Sequence, residues 1–309
     1  MPLHLIVFAG FYAAGRHAVR YADTLAQALR GRLVLLHVER AALFDPRELV
    51  GDSYHDEEMA RQTDTAAALH QLAQGLHVHP LVEVATDLLP AVAQDLAVRY
   101  APALFVLSPP SPDSVSAAAV ATECAGLLRA GNYPLLVVPA AAPADQPPHR
   151  FLIAADAEAF ELTAAAQPWS QLLRLPGAHV VVAHVSSGVE DDAGCGAALR
   201  VVQASGLVGS LPAPELRGYE HDDYAEGLLA AVQDTQADMV VVLARERSYL
   251  GELFHRSVTA RLLEHCPVPV LVLPVVPVLP EAVPAEQSVV SAATAQWAAG
   301  VLGGLSPAN

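Results

Sequence analysis

The chain has 309 residues, a length that accommodates two domains of about 140 residues each. Its 17 basic residues, all arginine, face 33 acidic ones, so the formal net charge is -16. This charge argues against binding to nucleic acid or to a membrane surface, because both need a basic protein face. The absence of lysine also excludes a P-loop lysine and a Schiff-base lysine.

The first half alternates apolar segments with helical patterns. Short apolar runs typical of buried strands lie at residues 3–8, 32–38, 81–84, 103–107 and 134–138. Between the first two, Ala18, Tyr21, Leu25 and Leu29 recur at helical spacing, and further helical stretches lie near 57–74, 88–98 and 116–129. This alternation predicts a parallel sheet covered by helices on both faces.

The second half repeats the first. Residues 150–156, 179–185, 237–243 and 267–274 match four of the earlier strands in order, and His37-Val38 returns as His184-Val185. A Pro/Ala-rich linker separates the copies. We therefore predict one domain over 1–140, a second over 150–275 and a C-terminal tail over 276–309.

Two passages carry a family resemblance. The strand that ends in LLHV (35–38) and the passage SVTARLLEHCPVPVLVLP (257–274) resemble the universal stress protein family. The resemblance implies two open five-stranded parallel sheets with helices on both faces, a Rossmann-like, adenine nucleotide alpha hydrolase-like fold. It also implies that the two domains pack as an intramolecular pseudo-dimer through their fifth strands, and it leaves a homodimer open.

The resemblance also implies a nucleotide site in the second domain. Family members that bind ATP carry an Asp after strand one and the pattern G-x2-G-x9-G-[ST] after strand four. Asp156 stands at the Asp position, and Val185 stands where a strand-two residue contacts the base. The glycine positions hold Ala244, Arg247 and, one residue short, Arg256, which is followed by Ser257 and the predicted helix from Val258.

The missing glycines predict a degenerate phosphate loop. A side chain at a position that needs positive φ costs about 1 kcal/mol or more. Arg245, Arg247 and Arg256 would leave an arginine-rich anion patch, with Ser257 as the N-cap of the following helix. We expect affinity for phosphate or nucleotide of about 0.1–1 mM. In the first domain, Gly10 and a glycine-free loop at 108–116 predict no triphosphate site.

Other readings of the polar residues stay open at this point. Asp156 could also cap a helix starting near Ala157, a role that does not exclude ligand binding, and the acidic run at 219–223 could cap the next helix rather than bind metal. Cys124, Cys195 and Cys266 lack metal-ligand spacing, so we expect no metal site. No catalytic set of residues is evident.

These patterns predict a universal stress protein with a regulatory or protective role and without committed catalysis. We expect no firmly bound cofactor, with ATP or another adenine nucleotide open for the second domain. One alternative is an ATP-binding switch with weak ATPase activity in that domain, and another is a ligand-free interaction module. Without a signal-type cleavage site or an apolar run of 18 residues, the sequence predicts a cytoplasmic protein.

Overall fold

The computed structural model describes residues 1–9, 13–38, 67–85, 89–109, 133–187, 192–209, 211–245 and 258–278. Met1–Pro277 form one compact unit, and Val278–Asn309 form another, of which only Val278 is described. The predicted domain boundaries at 140, 150 and 275 stay predictions. Within the described residues, no helix is long and apolar enough to cross a membrane.

The first half forms five parallel strands in the spatial order β3-β2-β1-β4-β5. The strands are β1 (His4–Phe8), β2 (Arg32–Val38), β3 (Leu81–Ala85), β4 (Ala103–Leu107) and β5 (Leu135–Val137). The helices of this half are α1 (Ala13–Leu29), α2 (67–74) and α3 (Leu89–Arg99). The predicted helix at 116–129 lies outside the described residues.

The second half repeats this order as β9-β8-β6-β10-β11, again with parallel neighbours. Its strands are β6 (Arg150–Ala154), β7 (Phe160–Leu162), β8 (His179–Ser186), β9 (Glu215–Glu220), β10 (Met239–Arg245) and β11 (Val270–Pro277). Its helices are a 3-10 helix (Gln167–Arg174), α4 (Asp192–Ala204), α5 (Tyr224–Thr235) and α6 (Val258–His265).

The predicted α/β class is confirmed, with one correction to the expected pair of separate sheets. β5 pairs antiparallel with β11, so the two halves form one continuous sheet of mixed direction. Among the described strands, both antiparallel pairs involve β11, and the main strand order of each half is parallel. The fifth strands are apolar, and pairing them covers two edges that would otherwise be open to aggregation.

The segment after β6 also differs from expectation. The helix predicted to start near Ala157 does not form, because residues 160–162 pair antiparallel with the end of β11 as strand β7. In β7 the burial alternates as buried, exposed, buried, which is the pattern of a strand. A 3-10 helix that begins with Pro168 in its first turn then occupies the place that α1 has in the first half.

The core has two layers, one on each face of the sheet, and each layer runs through both halves. One contains Leu5 of β1 together with Val241 of β10 under α1, the 3-10 helix and α4. The other contains Ile6 and Val240 under α3, α5 and α6. Because both layers cross the junction, the halves are stabilised by shared apolar burial as well as by strand pairing.

Candidate functional site

A cavity of about 910 Å³ lies at the carboxyl ends of β6, β8 and β10. β6 lies between β10 and β8 in the sheet. The connections at the carboxyl ends of β6 and β10 run to opposite sides of this point, and such a switch point leaves a crevice between them. The lining residues are Ala154, Ala155, Asp156, Ala157, Ala183, His184, Val185, Ser186, Ser187, Gly194, Tyr224, Leu228, Val242, Leu243, Arg245, Val258 and Thr259.

Two predicted site residues, Asp156 and Arg245, form a bidentate ion pair at this cavity. Nη1 of Arg245 donates to Oδ2 of Asp156 at 2.5 Å, and Nη2 donates to Oδ1 at 2.8 Å. The backbone N–H of Glu158 also donates to Oδ1 at 3.0 Å, which makes the turn after β6. This parallel pair of charge-assisted hydrogen bonds is the strong geometry for arginine and carboxylate.

Glu158 gives Arg245 one further hydrogen-bond acceptor and one longer ion-pair contact. Its carbonyl oxygen accepts from Nη2 at 2.9 Å, and its carboxylate lies 3.5 Å from Nε. The Arg245 side chain is 16% exposed, whereas that of Asp156 is 53% exposed. Hydrogen bonding to Asp156 raises the pKa of Arg245 above its ordinary value. The guanidinium charge is therefore compensated within the protein.

The backbone at Ala244 explains why this position needs no glycine. Ala244 lies inside β10, opposite Pro274 of β11, and is 4% exposed. Among the described residues, the non-glycine residues with positive φ are Arg30 and Gln236. The chain thus continues as an extended strand through 244, and Ala244 is not among the residues that line the cavity.

The wall opposite Arg245 is built from β8 and α5. Val185 is 7% exposed, and a Cβ placed on Gly227 of α5 would lie only 2.5 Å from its Cγ1 atom. Nδ1 of His184 lies 3.1 Å from the carbonyl oxygen of Ala155. A carbonyl oxygen can only accept, so Nδ1 carries the proton and the ring is held against the turn after β6.

The N-terminus of α5 confirms the capping interpretation of the acidic run. Asp223 accepts from the backbone N–H groups of Ala225 at 2.9 Å and of Glu226 at 3.1 Å. These hydrogen bonds lower the pKa of Asp223, and the bond from Glu226 has the largest effect. Arg261 of α6 donates to the carboxylates of Asp223 and Glu226, which links α5 to α6.

The structure brings four predicted site residues to one cavity, namely Asp156, Val185, Arg245 and Val258. Helix α6 begins at Val258 and ends at His265, as predicted. Arg247, Arg256 and Ser257 lie outside the described residues, so the predicted anion patch and helix cap stay predictions. The sequence analysis missed Tyr224 and Leu228 of the cavity lining. They lie four residues apart at the start of α5, directly after the capping Asp223, and this spacing places them on one face of the helix.

The described part of the chain contains no group of three His, Cys, Asp or Glu residues arranged to hold a metal ion. Cys195 and Cys266 are free thiols, and burial raises the pKa of Cys266 to about 11. A thiol with that pKa stays protonated at neutral pH and is a poor nucleophile. The expected absence of metal throughout the chain stays a prediction.

Residues 215–274 match the model of the Universal stress protein family. A solved universal stress protein from Archaeoglobus fulgidus DSM 4304 is 15% identical, with 87% of this chain and 95% of that chain covered and a TM-score of 0.59. A putative universal stress protein from Pseudomonas aeruginosa UCBPP-PA14 is 19% identical, with 89% and 94% covered and a TM-score of 0.51.

A third similar structure is the cytoplasmic domain of a prokaryotic cation chloride cotransporter. It is 11% identical, with 88% of this chain and 94% of that chain covered and a TM-score of 0.53. No curated protein matches the chain in sequence. The resemblance to the universal stress protein family is confirmed by the family match in the second half, and the structural likeness shows that the same fold extends over both halves.

Proposed function

From the universal stress protein match over residues 215–274, we propose that the chain acts as a regulatory or protective protein in the stress response, without committed catalysis. The observation that carries this proposal is the Asp156–Arg245 ion pair. In this pair, the negative charge of the Asp156 carboxylate and the positive charge of the Arg245 guanidinium neutralise each other. Neither group is then free to act as a general base or as a phosphate clamp.

The proposed role rests on weak, reversible ligand contact in the second half. We expect ATP and other adenine nucleotides to bind with a dissociation constant of about 0.1–1 mM, because a compensated guanidinium offers little net charge to a phosphate. The protein would act inside the cytoplasm as an intramolecular pseudo-dimer, with self-association into a homodimer as a further possibility.

A second candidate function is an ATP-binding switch with weak ATPase activity in the second half. The cavity favours this alternative, because it lies at the switch point of the sheet and is large enough for a nucleotide. The apolar walls formed by Val185, Leu228 and Val242 also suit a flat heterocycle.

Calorimetric titration with ATP at physiological salt separates the two functions. The proposed function predicts weak binding that weakens further as salt is raised, because exposed charges are screened. It also predicts that protein denatured after purification releases no stoichiometric adenine nucleotide in mass spectrometry. Sub-micromolar affinity, or nucleotide that copurifies at one per chain, would instead establish the switch.

A further inference from the structure

Asp156 is the single carboxylate, and Arg245 the single guanidinium, among the described residues that line the cavity, and the two bind each other. A carboxylate offers about four lone-pair positions. Two of those on Asp156 accept from Arg245, and a third accepts from the backbone N–H of Glu158. About one position is left, so a ligand that donates two hydroxyl groups to Asp156 competes with Arg245 for the second position.

The two partners differ in how easily they can separate. Asp156 is half exposed, so water can hydrate it when Arg245 leaves. Arg245 is mostly buried, and it keeps the Glu158 carbonyl as an acceptor only while it stays in its present place. Moving a buried guanidinium away from its acceptors is costly unless another anion replaces them. The cost of displacing Arg245 is therefore the main reason why the ion pair stays intact.

We propose that Arg245 is an internal competitor for the Asp156 carboxylate and thereby determines which ligands the cavity accepts. Neutral ligands with hydroxyl groups, of the nucleoside class, bind poorly because they bring donors for Asp156 but no anion for Arg245. This inference rests on the proposed function, in which the same cavity binds nucleotides weakly. It attributes the weak binding of nucleotides to the Arg245 side chain.

The walls of the cavity are consistent with this assignment. Val185, Leu228 and Val242 present apolar surface, and the volume of about 910 Å³ leaves room for a ring with a sugar. Removal of Arg245 should therefore convert the crevice into a nucleoside site, since the shape is present and the carboxylate becomes free.

Adenosine is the probe of choice, because it carries hydroxyl groups and a flat ring but no phosphate. In calorimetry, Arg245→Ala should raise adenosine affinity about tenfold, the scale expected when a competing charge-assisted bond is removed. Arg245→Gln, which keeps the side chain as far as Cδ but removes the charge and both Nη donors, should give a gain in the same direction. The Arg245→Gln variant also provides the test if Arg245→Ala unfolds the end of β10.

Two controls make the result specific. Adding Asp156→Asn to Arg245→Ala should abolish the gain, because the gain depends on a freed carboxylate. Arg217→Ala breaks a 2.5 Å pair with Glu215 on edge strand β9, away from the cavity lining, and should leave adenosine affinity unchanged.

The inference is overturned if neither folded Arg245 variant gains affinity, or if the gain survives Asp156→Asn. Circular dichroism establishes that each variant is folded. Tight ATP binding by the unchanged chain would overturn the proposed function alone, because the adenosine comparison between variants still decides the role of Arg245.

Discussion

Asp223 serves two helices at once. It caps α5 through two backbone N–H groups and accepts from Arg261 of α6. Both contacts are stronger with the ionised carboxylate, which explains why the pKa of Asp223 is lowered. The neighbouring Asp222 carries the same carboxylate side chain, but Asp223 is the residue at the N-cap position of α5.

We predict that Asp223→Ala lowers the midpoint of thermal unfolding, because α5 loses its cap and α6 loses an ion-pair partner. Asp222→Ala is the matched control and should leave the midpoint close to that of the unchanged chain. Scanning calorimetry of both variants at pH 7 measures the difference. Equal midpoints for the two variants would contradict the capping assignment.

His4 at the start of β1 gives the protein a pH-dependent stability. The residue is 8% exposed, and its ring lies 5.4 Å from that of Tyr100. Burial lowers the pKa of His4, against a smaller raising effect of the backbone hydrogen bond at Tyr100. Below about pH 6.5 the unfolded state then binds a proton that the folded state resists, so stability falls as pH falls.

We predict that His4→Leu reduces the loss of stability between pH 7.5 and pH 5. The buried imidazole that resists protonation is then absent from the folded state. Urea unfolding at both pH values measures the change in the free energy of unfolding. His79→Leu removes a histidine from the loop before β3 and serves as the control. An identical pH dependence for His4→Leu and the unchanged chain would contradict the prediction.

At the scale of elements, the contact between α5 and β8 depends on Gly227. A Cβ at this position would lie 2.5 Å from Cγ1 of Val185 and 3.0 Å from Cβ of His221. The first distance is shorter than packed carbon atoms allow, and the second is tighter than most such contacts. The helix can approach the cavity wall this closely only because residue 227 has no side chain.

Gly227→Ala should therefore destabilise the protein by about 1–3 kcal/mol, the usual cost of overpacking, despite the better helix propensity of alanine. Adding Val185→Ala should restore part of the loss, because it removes the clashing methyl groups. Gly75→Ala is the control, since its nearest neighbouring atom would be 3.9 Å away. Denaturant unfolding measures each variant, and an unchanged Gly227→Ala protein would contradict the packing argument.

At the scale of the whole molecule, the junction between β5 and β11 closes both fifth strands. Val270, Leu271 and Val272 of β11 are each at most 2% exposed and pair with β5. Without the first half, these backbone and side-chain groups would form an apolar sheet edge. Such edges pair with another copy or aggregate.

We predict that a chain limited to residues 148–278 self-associates, whereas the full chain does not use β11 for association. Sedimentation velocity would show dimers or larger species of the isolated half. Coexpression with a separate chain of residues 1–147 should recover a one-to-one complex, because β5 then covers β11 again. A stable monomer of the isolated half would contradict the role assigned to this junction.

The sequence by itself determined the elements and their repetition. Continuous apolar runs such as 103–107 and the helical spacing at 258–265 coincide with β4 and α6. These signals are local, because burial on both faces of a strand and on one face of a helix imposes its period on neighbouring residues. The ordered repeat then indicated one fold twice, and the resemblance to the universal stress protein family pointed to Asp156 and Val185 as site residues.

Only the tertiary structure decided how these elements and charges meet. The partner of Arg245 is Asp156, which lies 89 positions away in the chain. The family resemblance implied that the fifth strands meet, but only the structure showed that β5 and β11 pair antiparallel into one continuous sheet, between residues more than 130 positions apart. Strand β7 replaced a predicted helix because residues 160–162 could pair with the end of β11. Such contacts depend on which surfaces the packed sheet brings together, and local periodicity carries no record of that choice.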